Sequence, residues 1–237
     1  MENNKPTLTW KGAVYGAKLC GPIAVFSLVF GVAFGAIAAE KGITSFQAVM
    51  LSFVTFAGTS QFVAMDFWTH PINMVAMFMA VFAISARHLL MGAALYPWVK
   101  DYPFYWRFIS AAFMSDPNWA FSLQEYEKGN RDFGIFLGGG FLLWVPWFVG
   151  TYLGVEFGQL IRDPKALGID TFIVTFFACF LISLWKGKQR SLLPWVAAGV
   201  VAMLGYFFLP SGWHIMAGGV AGGVIGYVTY KEESGDD

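Results

Sequence analysis

The sequence predicts an all-α polytopic membrane protein, a single helix bundle of about seven or eight spans with some of the helices broken. Three observations carry that expectation. Hydrophobic residues fill 57% of the 237 positions and charged residues only 13%, whereas a soluble domain carries about 25% charged residues; mean hydropathy is +0.58. Apolar runs of roughly twenty residues, the length a helix needs to cross about 30 Å of hydrocarbon, recur along the chain. Several of these runs are interrupted near their centres by small, polar or prolyl residues. With 15 basic against 15 acidic side chains there is no charged exterior for a soluble protein, and no basic excess of the kind that grips nucleic acid.

Up to eight windows can be marked off: Ala17 to Ala39, Phe46 to Phe67, Pro71 to Leu95, Pro103 to Ser122, Phe133 to Phe157, Ile169 to Trp185, Leu192 to Leu209 and Trp213 to Tyr230. In the first, the apolar run Cys20 to Ala39 follows Lys5, Lys11 and Lys18 and contains Ala36-Ile37-Ala38, a pattern shared with signal peptides. Its length, and the further spans behind it, favour an uncleaved first helix. The fourth is the weakest, because Ser115, Asp116, Pro117 and Asn118 interrupt it. The connecting segments are too short to fold alone and the tail KEESGDD is a solvated acidic end, so residues 1–237 read as one integral-membrane domain. Basic residues flanking the spans favour both termini in the cytoplasm: Lys5, Lys11, Lys18, Lys128, Arg131, Lys186, Lys188, Arg190 and Lys231 fall inside, against Lys41, Lys100, Arg107, Arg162 and Lys165 outside. Tryptophans near span ends suit interfacial belts, though aromatic residues are abundant throughout.

Polar groups inside spans are costly unless they pair or meet water, which makes each a candidate for function. Three clusters stand out. In FVTFAGTSQFVAM, Gly58, Thr59, Ser60 and Gln61 offer either a helix break, with free amide N–H groups suited to a carboxylate, or a close helix contact with Gln61 bonding across to a neighbour. Ser85, Arg87 and His88 lie near the middle of the third window. An arginine there costs about 2.5–3.5 kcal/mol on insertion scales, so it needs a carboxylate, water or an anionic ligand, or must snorkel to the interface. At Ser115-Asp116-Pro117-Asn118 the chain forms either a broken span carrying an acid or a plain turn with Asp116 and Pro117 opening a helix. Hydroxyls and amides, one cation and one anion in an apolar box complement a zwitterion with an oily side chain, that is, an amino acid. The candidate substrate-binding residues are therefore Gly58, Thr59, Ser60, Gln61, Arg87, His88, Asp116 and Asn118, with Phe26, Phe30 and Phe62 for the apolar side chain.

Other features read as structural. Cys20 and Cys179 are far apart within apolar runs, and His70, His88 and His214 are scattered, so neither a metal site nor a cofactor is expected. No HExxH or GxSxG occurs, and an enzyme is not expected. A channel would show a continuous polar stripe rather than local clusters, and a membrane scaffold remains the third alternative. Gly218, Gly219, Gly222, Gly223 and Gly226 stripe the last span for a close contact within the chain or with a second copy, and Gly138-Gly139-Gly140 with Pro146 make the fifth span bendable.

The runs GPIAVFSLVFGVAFGAIAAEKGIT, FAGTSQFVAM, ISARHLLMGAAL, AAFMSDPNWAFSL and DPKALGIDTF occur in that order, and over about Gly21 to Trp185 the chain resembles the AzlC family. The resemblance implies a bacterial inner-membrane permease that exports leucine, isoleucine, valine or analogues together with a small hydrophobic subunit of the AzlD type. By position it implicates Gly58, Gln61, Arg87, His88, Asp116 and Asp170. Asp116-Pro117 stands where the family more usually has an acidic pair, Asp-Glu.

Overall fold

The computed structural model describes residues 7–68, 71–158, 187–209 and 213–229, together with 175, 178, 181, 182 and 185. Most of the window Ile169 to Trp185, with Asp170 and Cys179, lies outside the described residues, as do His70 and the acidic tail.

Helix α1 runs Trp10–Glu40 and α8 runs Gly134–Phe157, and one carboxylate starts both. Asp132 accepts from the backbone N–H of Thr9 at 3.0 Å, from the Thr9 hydroxyl, and from Gly134 N–H at 2.9 Å. Thr9 in turn caps α1 by accepting from Gly12 N–H at 3.0 Å. These bonds satisfy amide donors that a helix start otherwise leaves unpaired. From there the two helices run parallel in close contact. Gly16 faces the carbonyl of Ile135, Gly31 that of Trp147 and Gly35 that of Thr151, while Gly150 and Gly154 face Leu28 and Val32. A Cβ at any of these glycines would overlap the opposing carbonyl oxygen, so only glycine lets the backbones meet.

Parallel neighbours require the chain to return to its starting end between them, and it does so once. Gly42, with φ +77°, turns the chain out of α1, and a Thr44/Gln47 capping box opens α2 (Ser45–Val54). Helix α2 runs back along α8: Ser45 donates to Glu156 Oε1 at 2.6 Å, Ser52 and Thr151 share a hydrogen bond of 2.8 Å, and the Phe53 ring lies 4.6 Å from that of Trp144. The backbone then leaves helical geometry at Thr55 and Ala57. Helix α3 (Gly58–Asp66) climbs back, with Gly58 against Trp147, Phe62 edge-on to Phe34, and Met65 buried with Ala38, Ile43 and Ala48, where α2 began. The window Phe46 to Phe67, expected to cross, is a hairpin whose tip lies midway along α1 and α8.

Helices α4 (Met74–Ser85) and α5 (Arg87–Val99) join through Ala86, itself helical at φ −60°, into one 26-residue run. It ends near the start of α8, where Trp98 Nε1 donates to Arg131 O at 3.1 Å. From Tyr102, against Phe133, α6 (Phe104–Ala112) rises to Phe113, edge-on to Trp144. Helix α7 (Asp116–Glu127) then descends, with Asn118 bonded to Phe136 O and Tyr126 beside Trp98. The window Pro103 to Ser122 is thus a second hairpin, entering from the opposite end. Its break fits Pro117, which supplies no N–H to continue a preceding helix but is suited to a first turn; Ser115 is extended (ψ 157°) and Asp116 and Pro117 form the first turn of α7. One long helix plus one half-depth hairpin is used twice, in opposite senses.

A π-helical turn, Lys188–Leu192, leads into α9 (Leu193–Phe208), which packs on α10 (Trp213–Thr229). Gly218 and Gly222 make that contact against Ala198 and Ala202, while Gly219 and Gly223 face open space. Among the described residues, Trp10–Glu40, Met74–Val99, Gly134–Phe157 and Arg190–Phe208 are long and apolar enough to cross a membrane. Their many exposed large hydrophobic side chains, such as Phe78, Leu89, Val200 and Met203, give the bundle a lipid-compatible exterior.

Candidate functional site

The hairpin tips meet at a cavity of about 380 Å³. Its lining joins residues from distant parts of the sequence: Ile23, Phe26, Ser27 and Phe30 of α1, Phe56 to Thr59 at the first tip, Arg87 and His88 of α5, Ser115 to Pro117 at the second tip, and Leu143 and Trp147 of α8. Most of this wall is apolar, and its polar groups cluster where α3, α5 and α7 begin.

Arg87 ties the two tips together. Its Nη2 donates to Thr59 Oγ1 at 2.6 Å and lies 3.0 Å from Asp116 Oδ2. The pair is only partly open, with 31% of the Arg87 and 26% of the Asp116 side chain exposed, and the Arg87 Nε is buried without a hydrogen-bond partner. The cation that looked expensive in a span therefore has its carboxylate, and keeps a donor in reserve. No side chain caps α3, so the positive end of its dipole and its first amides are open at Gly58. His88 Nδ1 lies 3.0 Å from Ser85 O, so Nδ1 carries a proton and donates to that carbonyl.

Of the residues singled out from sequence, Gly58, Thr59, Arg87, His88, Asp116, Phe26, Phe30 and Phe62 line the cavity. Ser60, Gln61 and Asn118 do not. Ser60 shares a 2.7 Å hydrogen bond with Ser85; Gln61 is bonded to Ser52 and Trp147; fully buried Asn118 donates to Phe113 O and Phe136 O at 3.1 and 3.0 Å. These three hold helices in place. Sequence reasoning missed Ser27, Phe56 and Trp147, which also line the cavity. Trp147 carried a usable signal: it sits in the interior of an apolar run rather than at its ends, where interfacial tryptophans belong. Among the described residues no group of His, Cys, Asp or Glu stands ready to hold a metal ion.

Comparison with known proteins places this architecture. The profile of a family described as AzlC protein matches residues 22–161, which include both hairpins and α8. An uncharacterized membrane protein of Archaeoglobus fulgidus is 27% identical over 94% of this chain and 95% of its own length. The inner membrane protein YgaZ of Escherichia coli K12 is 25% identical, covering 87% of this chain and 86% of its own. The branched-chain amino acid transport protein AzlC of Bacillus subtilis 168 is 24% identical over 79% of this chain and 73% of its own. No solved structure shows significant similarity.

Proposed function

The chain belongs to the AzlC family, and from that premise we propose that it is a secondary transporter exporting branched-chain or similar apolar amino acids across a bacterial inner membrane. The observation that carries the reading is the joining of Arg87, Asp116 and the open end of α3 in one otherwise apolar cavity. A zwitterion matches that set without changing its net charge. Its carboxylate takes the place of Asp116 on Arg87 and the α3 amides, and Asp116, released, receives the ammonium group. In a mostly apolar cavity that half-buries them, both new pairs are stronger than they would be at the surface, and Phe26, Phe30 and Phe62 receive the aliphatic side chain. Two hairpins entering from opposite ends, with their tips bridged by one arginine, suit alternating access around a midplane site.

The same reading includes a small hydrophobic AzlD-type subunit, no catalytic reaction, and an amino terminus in the cytoplasm. The reversal at the two hairpins supports the last point: Lys11, Lys100, Arg107, Lys128 and Arg131 gather at the end where α1 and α8 begin, with Lys41 at the other, so that end carries the charge expected of the cytoplasmic face. The test is efflux of preloaded radiolabelled leucine, valine and methionine from cells expressing the chain, alone and with a small membrane subunit. Faster efflux that disappears with Arg87→Ala and with Asp116→Ala is expected. Unchanged efflux of every amino acid under both conditions would overturn the proposal.

A further inference from the structure

One buried feature is not used by the charge exchange described above. Trp147 Nε1 donates to Gln61 Oε1 at 3.0 Å, Gln61 Nε2 donates to Ser52 Oγ at 3.3 Å, Ser52 and Thr151 share a 2.8 Å hydrogen bond, and Thr151 Oγ1 donates to the carbonyl of Trp147 at 2.9 Å. Because the Thr151 proton goes to that carbonyl, Ser52 is the donor to Thr151. The bonds then form a closed circuit that begins and ends on Trp147, with each donor used in one direction. Its members are all buried: Trp147 is 6% exposed, Gln61 2%, and Ser52 and Thr151 are fully covered. Buried polar groups far from water hold their partners because the alternative is an unsatisfied donor or acceptor. The circuit therefore allows the indole one orientation.

Packing restricts it further. The ring lies parallel to Phe34 and edge-on to Phe56 and Phe62 at centroid distances of 6.4 to 6.5 Å, and a Cβ on Gly58 would stand 2.7 Å from its Cη2. Trp147 nonetheless lines the same cavity as Arg87 and Asp116. A large flat side chain that borders the site and cannot turn is a size gauge.

We propose that Trp147 is the specificity-determining wall of the cavity, setting an upper limit on the apolar side chain that can enter, and that Gln61 is the positioning residue that holds this wall. The inference rests on the reading of the cavity as an amino-acid site and states which members of that class are favoured: aliphatic side chains over the bulkier, flat aromatic ones. Rigidity matters because a hydrophobic pocket discriminates only about 10–200-fold per methylene even when well shaped, and a wall free to swing would lose that margin.

The test is binding of radiolabelled leucine to the purified full chain in detergent, with competition by unlabelled valine, leucine, methionine, phenylalanine and tryptophan. In the wild type the aliphatic members compete and the aromatic ones do so at least about tenfold less well. Trp147→Ala should raise phenylalanine relative to valine by at least that factor, and Trp147→Phe by a smaller one, which keeps the test open if the alanine variant does not fold. Gln61→Leu, similar in volume but unable to accept from Nε1, should narrow the aromatic-to-aliphatic ratio several-fold. Gln61→Glu, protonated in that buried setting, can accept from Trp147 and donate to Ser52, and should restore the ratio. A merely structural role for Gln61 would lower the amount of folded protein and leave the ratio unmoved. If wild-type protein binds leucine and the ratio is unchanged in folded Trp147→Phe and Gln61→Leu, the wall assignment is overturned while the functional reading stands. If the wild type binds no amino acid, both fall.

Discussion

The two hairpins reach the same cavity from opposite ends, yet their tips are chemically unlike. The tip of α3 begins with Gly58, carries no acid in its first turn and has no side-chain cap, so its dipole is uncompensated. The tip of α7 carries Asp116 in its first turn and Pro117 beside it, so its dipole already faces a carboxylate and one of its amide donors is missing. Arg87 bonds to both, through Thr59 on one side and Asp116 on the other. The contrast teaches that a symmetric arrangement of helices need not make a symmetric site: an anion belongs at the α3 tip and a cation at Asp116, which orients a zwitterion.

The sharpest way to break that comparison is to remove its charges. Arg87→Ala or Asp116→Asn should weaken leucine binding by at least about thirtyfold, since truncating one member of a hydrogen-bonded charge pair costs roughly 2–5 kcal/mol. The double variant Arg87→Met/Asp116→Leu should recover thermal stability, because no charge is left unpaired, but not binding. Recovery of leucine binding in that double variant, measured by scintillation proximity, would show that the pair serves only the fold. Next in size, Gly58→Leu should lose binding about tenfold or more, as its side chain meets Trp147 and covers the open amides, whereas Ser115→Ala at the other tip should cost little, its hydroxyl capping nothing. Equal losses in the two variants would mean that the tips are equivalent after all.

A smaller effect, confined to stability, is expected at Asn118. Asn118→Leu removes both bonds that tie α7 to Phe113 and Phe136, takes from the Phe113 carbonyl its side-chain donor, and should lower unfolding stability by about 1–3 kcal/mol in thermal melts. Leucine affinity of the folded fraction should stay as it was; a fall would return Asn118 to the binding site. The smallest is Ser60→Ala, which loses one bond to Ser85 and should cost about 0.6 kcal/mol, the mean for interhelical hydrogen bonds in membranes. Transport by this variant should be unaltered.

These contrasts also mark how far the residues could be read in advance. Composition and run length determined a helical membrane bundle, because only helices and closed barrels satisfy a backbone in lipid, and apolar runs of about twenty residues are helix length rather than strand length. Breaks near Gly58 and Pro117 were among the readings the residues left open, since a missing side chain and a missing N–H both weaken a helix locally. That Arg87 needed an anion followed from its cost in a span. Which anion did not follow, because Asp116 lies 29 positions further along and only packing brings them together. Nor did the fate of Ser60, Gln61 and Asn118, whose side chains could point into the cavity or into a neighbour with the same local chemistry.

What the sequence by itself determined, then, is where the chain could leave the helix and which side chains could not be left in lipid unpartnered. Whether the chain crosses or turns back at such a break was decided only by tertiary structure. The paired α1–α8 scaffold, with its glycine seam, presents Trp144, Trp147 and Thr151 on α8 as a surface against which each hairpin finds its level. A half-helix that turns back buries its polar tip against that surface rather than carrying it through the bilayer. The physical reason is range: a break is a property of adjacent residues, while the direction taken after it depends on contacts further along the chain, 91 and 86 positions away for the first hairpin and 18 for the second.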